Sequence, residues 1–173
     1  MRFDLICHPE TPCAAVERIE VTVSRVGGAL ALHYAVHGAI GELRLPAIAA
    51  PARTDGLWRH SCFEAFLRGA EGYAEYNFSP SAQWAAYRFD GYRQGMRDSD
   101  IAVPVIETAI AAARFDLRVA VEVPEGATRL GLAAVIEELS GRRSYWALAH
   151  PPGAPDFHHI DCFAIDLAAA MAP

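Results

Sequence analysis

Hydrophobic residues recur at every second position along several stretches of this chain. The alternation is clearest over Glu17–Val26, Ala29–His37 and Arg114–Val123. A period of two is typical of β-strands that bury one face and expose the other. Gly27-Gly28, which separates the first two stretches, is a two-residue hairpin signal. The pattern therefore predicts antiparallel sheets rather than helices.

Six further segments read as short strands bounded by turn residues: Cys62–Leu67, Tyr73–Phe78, Trp84–Phe89, Arg129–Ile136, Tyr145–His150 and Cys162–Leu167. Many short strands with frequent turns favour an all-β sandwich or barrel. Residues 46–56 and 90–104 read as long loops, and the alanine-rich segment Ile106–Ala113 as a short helical turn. The length of 173 residues suits one domain over 1–173.

Charge and composition exclude several classes of function. The net charge is −6 and all fifteen basic residues are Arg, which argues against nucleic-acid binding and excludes a Lys Schiff base or a P-loop Lys. No stretch has the length of a signal peptide's apolar region or of a membrane span. We therefore expect a cytoplasmic protein that neither spans nor binds a membrane. Its four Cys residues show no CxxC spacing and read as buried thiols.

A row of polar side chains on the middle strands is the first candidate site. If the apolar faces of these strands point inward together, Glu64, Glu75 and Asn77 share the opposite face, with Trp84 or Tyr87 beside them. Carboxylate and amide groups bind neighbouring hydroxyls, and an aromatic ring stacks on the C–H face of a sugar. The alternative is a solvated outer face, as on many antiparallel sheets.

The aromatic residues of this region are mostly expected to pack in a core. Trp58 follows Asp55-Gly56 and precedes Arg59-His60, a sequence typical of a loop rim, and Trp84 follows the Ser79-Pro80-Ser81 turn. Both are therefore candidates for stacking on a ligand.

Two cofactor hypotheses stay open. Met96 and His150 are the plausible axial pair for a haem in an apolar slot. The tail segment 155–161, with Asp156 and His158, could join His150 in a metal-dependent hydrolase, although adjacent His residues point to opposite faces of a strand and the spacing is not a metal signature. No metal ligand is assigned on this basis.

Standard catalytic motifs are missing: the sequence contains no G-x-S-x-G, H-E-x-x-H, P-loop or G-x-G-x-x-G pattern. Glu64 and Glu75 could still form a glycosidase pair, which needs two carboxyl groups about 5–10 Å apart. Whether the protein catalyses a reaction is therefore left open, and a binding role is the preferred hypothesis.

The segments 62–67, 73–81 and 84–87, together with the tail 155–165, resemble the DOMON-like superfamily and, within it, the branch that includes the family 9 carbohydrate-binding modules. The tail also fits the bacterial DOMON-like proteins. The resemblance implies an antiparallel β-sandwich, of the immunoglobulin-like or jelly-roll type, with about ten strands, long loops and little helix. It implies binding of sugar or haem without catalysis.

The resulting prediction is a non-catalytic domain that binds a small polar ligand, most plausibly a carbohydrate, at a concave sheet face. The resemblance assigns Glu75, Asn77 and Trp84 by motif, and Trp58 and Arg93 more loosely; Arg53 and Glu64 complete the candidate set. No cofactor is assigned firmly, haem on Met96 and His150 is the alternative, and a homodimer is a further possibility.

Overall fold

The computed structural model describes residues 1–26 and 28–170, and these residues include twelve β-strands. The strands are β1 Arg2–Cys7, β2 Val16–Val26, β3 Ala29–Gly38, β4 Cys62–Arg68, β5 Tyr73–Phe78, β6 Trp84–Phe89, β7 Arg97–Asp98, β8 Ile106–Ala111, β9 Arg114–Val121, β10 Arg129–Glu137, β11 Arg143–Ala147 and β12 Ile165–Asp166. Three 3-10 turns, Ile40–Glu42, Leu57–Arg59 and Ile160–Cys162, and the four-residue helix α1, Leu167–Ala170, complete the secondary structure.

All strand pairings are antiparallel and join one sheet in the order β7-β6-β5-β4-β10-β11-β1-β2-β3-β9-β8, with β12 also paired to β10. Strand β1 links the two halves, because Arg2–Leu5 pair with β2 whereas Ile6–Cys7 pair with β11. We name β2, β3, β8 and β9 the first arm, and β4–β7 with β10–β12 the second arm. The sheet curls into a half-barrel, so the two arms approach each other.

The inner core lies between the arms and contains the apolar side chains of alternate positions. Phe63 of the second arm stacks on Phe115 of the first, with ring centroids 5.6 Å apart. Tyr34 of the first arm donates a hydrogen bond of 2.8 Å to the backbone oxygen of Glu64. The period-two pattern found in the sequence therefore corresponds to side chains that point into one shared core.

The second arm also buries its outer face. A second apolar cluster there includes Phe66, Tyr73, Phe89, Phe157 and Phe163. The last two residues belong to the segment 148–164, which runs back across the outer face of β4, β5 and β10. Because both faces of the sheet are covered here, every residue of β5 is buried. Alternate side chains of this strand therefore point into the inner core and into the outer cluster, and neither set faces solvent.

The all-β antiparallel class with little helix is confirmed, and the bounds predicted for the central strands β5 and β6 match the structure. The alanine-rich segment Ile106–Ala113 was expected to form a helical turn, and this prediction is wrong: Ile106–Ala111 is the edge strand β8, paired to β9. Its backbone hydrogen bonds to β9 override the helical preference of Ala. The predicted hairpin joins Val26 to Ala29, with Gly27 outside the described residues.

Other elements also differ from the prediction. Strand β11 was expected over Tyr145–His150 but spans Arg143–Ala147, and β7 lies within residues 90–104, which were read as a loop. The last strand was expected over Cys162–Leu167 but contains Ile165–Asp166, since a 3-10 turn ends at Cys162 and α1 begins at Leu167. Strand β1 had not been expected at all. Within residues 1–26 and 28–170, the structure contains no helix with the length and apolar character needed to cross a membrane.

Candidate functional site

Two glutamate side chains lie together on the outer face of the second arm. In the β4–β5 ladder Glu64 is paired with Asn77, and Phe66 with Glu75. Residues 64 and 75 therefore lie diagonally across neighbouring strands, on the same sheet face. Their neighbours Phe63 and Ala65 point into the inner core, as the alternation requires.

Both carboxyl groups are buried, with Glu64 3% and Glu75 5% exposed. Asn77, fully buried beside them, donates a hydrogen bond of 2.7 Å from Nδ2 to Oε1 of Glu75. Oε1 of Glu64 is buried without a hydrogen-bond partner among the described residues. An unsatisfied buried polar atom costs free energy. Glu64 is therefore the residue of this face that lacks a hydrogen-bond partner and could gain one from a ligand.

Burial also changes the acidity of these groups. Loss of hydration raises the pKa of Glu64 well above its ordinary value of 4.5, and the nearby Glu75 adds to the increase. The same loss of hydration raises the pKa of Glu75 to about 7, against the opposing effects of the Asn77 hydrogen bond and Arg93. At neutral pH the pair therefore binds more protons than two exposed carboxyl groups would, and a protonated member can donate as well as accept hydrogen bonds.

His158, on the segment that crosses the outer face, forms part of the roof over this pair. Its Nδ1 lies 2.7 Å from the hydroxyl of Tyr73, and its ring makes edge contacts with Phe66 and Phe89. Nε2 of His158 is 3.8 Å from Oε2 of Glu75. Burial, with Arg93 next in effect, lowers the pKa of His158 to about 4, so the imidazole is neutral at neutral pH.

A cavity of about 410 Å³ remains between the floor and the roof. Its volume falls within the roughly 300–1,000 Å³ of small-molecule sites. Glu64 and Glu75 supply polar groups at its floor, His158 supplies one at its roof, and three arginines line it as well. The remaining lining is mostly apolar or aromatic: Trp58, Phe89, Met96, Val135, Tyr145, Pro155 and Phe157.

The three arginines differ in their pairing. Arg93 forms an ion pair of 2.8 Å with Oδ1 of Asp156, and Tyr92 donates to the other oxygen of the same carboxylate. Arg143 donates from Nη1 to the backbone oxygen of Arg59, at 3.2 Å. Neither Arg59 nor Arg143 forms an ion pair with a carboxylate among the described residues. The cavity thus combines a floor of two buried glutamates, whose pKa values are raised, with two guanidinium groups that have no carboxylate partner among the described residues.

The structure brings four of the seven predicted ligand-binding residues to this cavity: Trp58, Glu64, Glu75 and Arg93. Asn77 lies beneath them and supports Glu75. Trp84 does not reach the cavity, because its position in β6 turns its side chain into the inner core, where it is 6% exposed. Stacking of Trp84 on a ligand at this cavity is therefore corrected to a packing role.

Arg53 also lies outside the lining of the cavity. Its guanidinium is paired with Asp55 and Asp98 and lies over the ring of Tyr87, 5.4 Å from the centroid. Tyr87 in turn contacts Trp58 edge to face, at 6.0 Å. Arg53 therefore supports Trp58 indirectly, through Tyr87, rather than lining the cavity.

The predicted haem pair is not assembled. Met96 lines the cavity described above, whereas His150 lines a different one with His8. Nε2 of His150 is 2.8 Å from the backbone oxygen of Ile6, and burial lowers the pKa of the ring. A neutral His150 therefore donates a hydrogen bond from Nε2 to this carbonyl. His150 and Met96 line separate cavities and do not face each other across one slot.

The structure also separates His150, Asp156 and His158, which the sequence had grouped around a metal. His158 lies over Glu75, Asp156 is engaged by Arg93, and His150 belongs to the separate cavity. Within the part of the chain that the structure describes, no cluster of three or more His, Cys, Asp and Glu side chains is arranged to hold a metal ion.

Sequence reasoning missed that the tail covers the polar row. The sequence predicts a ligand site on a concave sheet face, whereas Phe157, His158 and Phe163 pack over that outer face. The signal that was present is the apolar and aromatic character of segment 155–163, which a solvated loop does not need. Arg59, Arg143 and Tyr145 carried no pattern that marked them as lining residues.

The motif segments quoted for the DOMON-like resemblance form β4, β5 and β6, and the quoted tail forms part of the roof. Five of the thirteen residues that line the cavity lie in these segments: Glu64, Glu75, Pro155, Phe157 and His158. A comparison with family models, curated proteins and solved structures found no match for this chain.

Proposed function

We propose that this chain is a non-catalytic binding domain of the DOMON-like superfamily, with a β-sandwich formed by its two arms. The cavity over Glu64 and Glu75 would hold a small polyhydroxylated ligand such as a sugar. The face-to-face packing of Phe63 on Phe115 supports the sandwich interpretation. The site, rather than the fold, carries the functional part of the proposal.

The observation that carries this proposal is the unpartnered carboxyl oxygen of Glu64 in an aromatic-lined cavity. A ligand hydroxyl would satisfy this oxygen, and protonated carboxyl groups can exchange hydrogen bonds with neighbouring hydroxyls in both directions. Trp58, 36% exposed at the cavity, offers a ring face to the C–H surface of a sugar. Together these groups match the mixed polar and apolar surface of a hexose.

The first test is binding of a sugar panel to the intact chain, measured by calorimetry and thermal shift. At least one sugar should bind, and Glu64→Leu should weaken its binding about tenfold or more, because a leucine side chain of similar size can neither donate nor accept a hydrogen bond. Trp58→Ala should weaken it by a similar factor through loss of the stacking surface.

Ile48→Ala is the control, since Ile48 is 71% exposed and lies outside the cavity lining. It should leave every affinity within twofold of the wild-type value. The binding proposal fails if no sugar changes the melting temperature or releases heat. Accumulation of a hydrolysis product during the titration would contradict the non-catalytic part.

A further inference from the structure

The charges of the residues that line the cavity constrain the ligand more than Glu64 and Glu75 at its floor do. Three arginines and two glutamates line it, and Arg93 is neutralised by Asp156 at 2.8 Å. Burial raises the pKa values of both glutamates, so they carry less negative charge at neutral pH than exposed glutamates do. Arg59 and Arg143 line the same cavity and form no ion pair with a described carboxylate, in a chain whose net charge is −6.

A hydrogen bond keeps the guanidinium of Arg143 beside the backbone of Arg59, and both residues line the same cavity. Arg59 ends the 3-10 turn Leu57–Arg59, and its amide donates to the oxygen of Gly56 at 3.1 Å. The side chain of Arg59 lies against Gly56, because a Cβ built on this glycine would be 3.5 Å from Nε of Arg59. Arg143 is tied to the same turn by its 3.2 Å hydrogen bond to the oxygen of Arg59.

Both guanidinium groups have N–H donors that the hydrogen bond between Arg143 and Arg59 does not use. Arginine presents five N–H donors, and the structure assigns Arg143 one acceptor, a backbone oxygen rather than a carboxylate. Arg59 adjoins Trp58, the aromatic residue proposed to stack on the ligand. An anion bound by this pair would therefore lie at one end of a ring stacked on Trp58.

Building on the proposed function, we propose that the ligand is an acidic sugar derivative. Its carboxylate or phosphate group binds Arg59 and Arg143, while its hydroxyl groups reach Glu64 and Glu75 at the floor. Charge-assisted hydrogen bonds from arginine to a carboxylate or phosphate are about twice as strong as neutral ones, and planar guanidinium groups match the geometry of both anions. Neutral sugars would occupy the same cavity with the arginines left solvated.

The test compares matched sets of ligands on the intact chain by calorimetry. Glucose, galactose and mannose are each measured beside their uronic acid and their 6-phosphate, so that carboxylate and phosphate are distinguished. At least one acidic member should bind at least tenfold more tightly than its neutral parent. In the variant that combines Arg59→Gln with Arg143→Gln, this preference should fall below twofold, with the affinity for the neutral parent changed by less than twofold.

Arg25→Gln is the matched control, because Arg25 is exposed on β2 of the first arm, away from the cavity. It removes one positive charge and should leave the acidic preference intact. If acidic members bind no more tightly than neutral ones, or if the double substitution leaves their preference unchanged, the inference is overturned while the sugar-binding proposal stands. If no member of any set binds the wild-type chain, both are overturned.

Discussion

Glu75→Gln should raise the free energy of unfolding at pH 8 by about 3 kcal/mol. The pKa of Glu75 is raised from 4.5 to about 7, chiefly by burial, so the folded state holds a proton that the unfolded chain releases between these values. The contribution of Glu75 to stability is therefore largest below about pH 4.5 and is lost as the pH rises through about 7. At about 1.4 kcal/mol for each pH unit, the loss amounts to about 3 kcal/mol, and glutamine, which has no proton to lose, avoids it.

Urea unfolding of wild type and variant at pH 5, 6, 7 and 8 measures this effect. The difference between them should grow with pH, while Glu17→Gln, an exposed position on β2, should stay within about 0.5 kcal/mol of wild type. A difference that is constant from pH 5 to pH 8 would show that Glu75 does not bind its proton more tightly in the folded state.

His158 acts in the opposite direction, which is why the test subtracts one curve from the other. Burial lowers the pKa of His158 from 6.5 to about 4, so the unfolded chain takes up a proton that the folded state excludes. This contribution is complete above about pH 6.5 and is lost as the pH falls towards 4. Stability near neutral pH is therefore limited by Glu75 on the alkaline side and by His158 on the acidic side.

Phe63→Ala should destabilise the protein by about 3–5 kcal/mol, the range for removing a fully buried aromatic ring. The Phe63 ring is 0% exposed, stacks on Phe115 and lies 5.2 Å from the ring of Tyr34. Both partners belong to the first arm, so the substitution opens a cavity at the contact between arms. Urea unfolding at one fixed pH measures the change.

Ile110→Ala provides the comparison, because Ile110 is 67% exposed on the edge strand β8, and its loss should cost less than about 1 kcal/mol. A double-mutant cycle with Phe115→Ala should add a coupling of about 0.5–1.5 kcal/mol between the rings. A cost below 1 kcal/mol for Phe63→Ala, or a coupling near zero, would show that the arms do not share this core.

The buried acidic pair gives a physical reason to look for a ligand at this site. Burial of Glu64 and Glu75 away from water lowers the stability of the fold at neutral pH, and the predicted gain from Glu75→Gln measures part of this loss. Two apolar side chains at these positions would avoid the loss. Proteins commonly keep such destabilising groups where binding requires them. A variant that replaces one of these glutamates should therefore gain stability and lose affinity for the ligand.

Local sequence was sufficient where one periodic signal dominates. The bounds of β5 and β6 were predicted correctly because Ser79-Pro80-Ser81 and Gly72 interrupt continuous strand patterns. It was insufficient for β8, whose alanines carry a helical preference that pairing with β9 overrides. The prediction also failed for β12, which depends on a partner, β10, about 36 residues earlier in the chain.

For the site, alternation along β4 and β5 was enough to assign Glu64, Glu75 and Asn77 to the face opposite Phe63, because successive side chains of a strand point to opposite sides. Whether that face meets solvent, a ligand or protein depends on distant parts of the chain. The structure shows that the segment carrying Phe157 and His158 covers it, leaves a cavity and places Arg59 and Arg143 beside Trp58. The hydrogen bonds from His158 and Arg143 join residues 85 and 84 positions apart, so no local pattern specifies them. Only tertiary packing decides which side chains line the cavity.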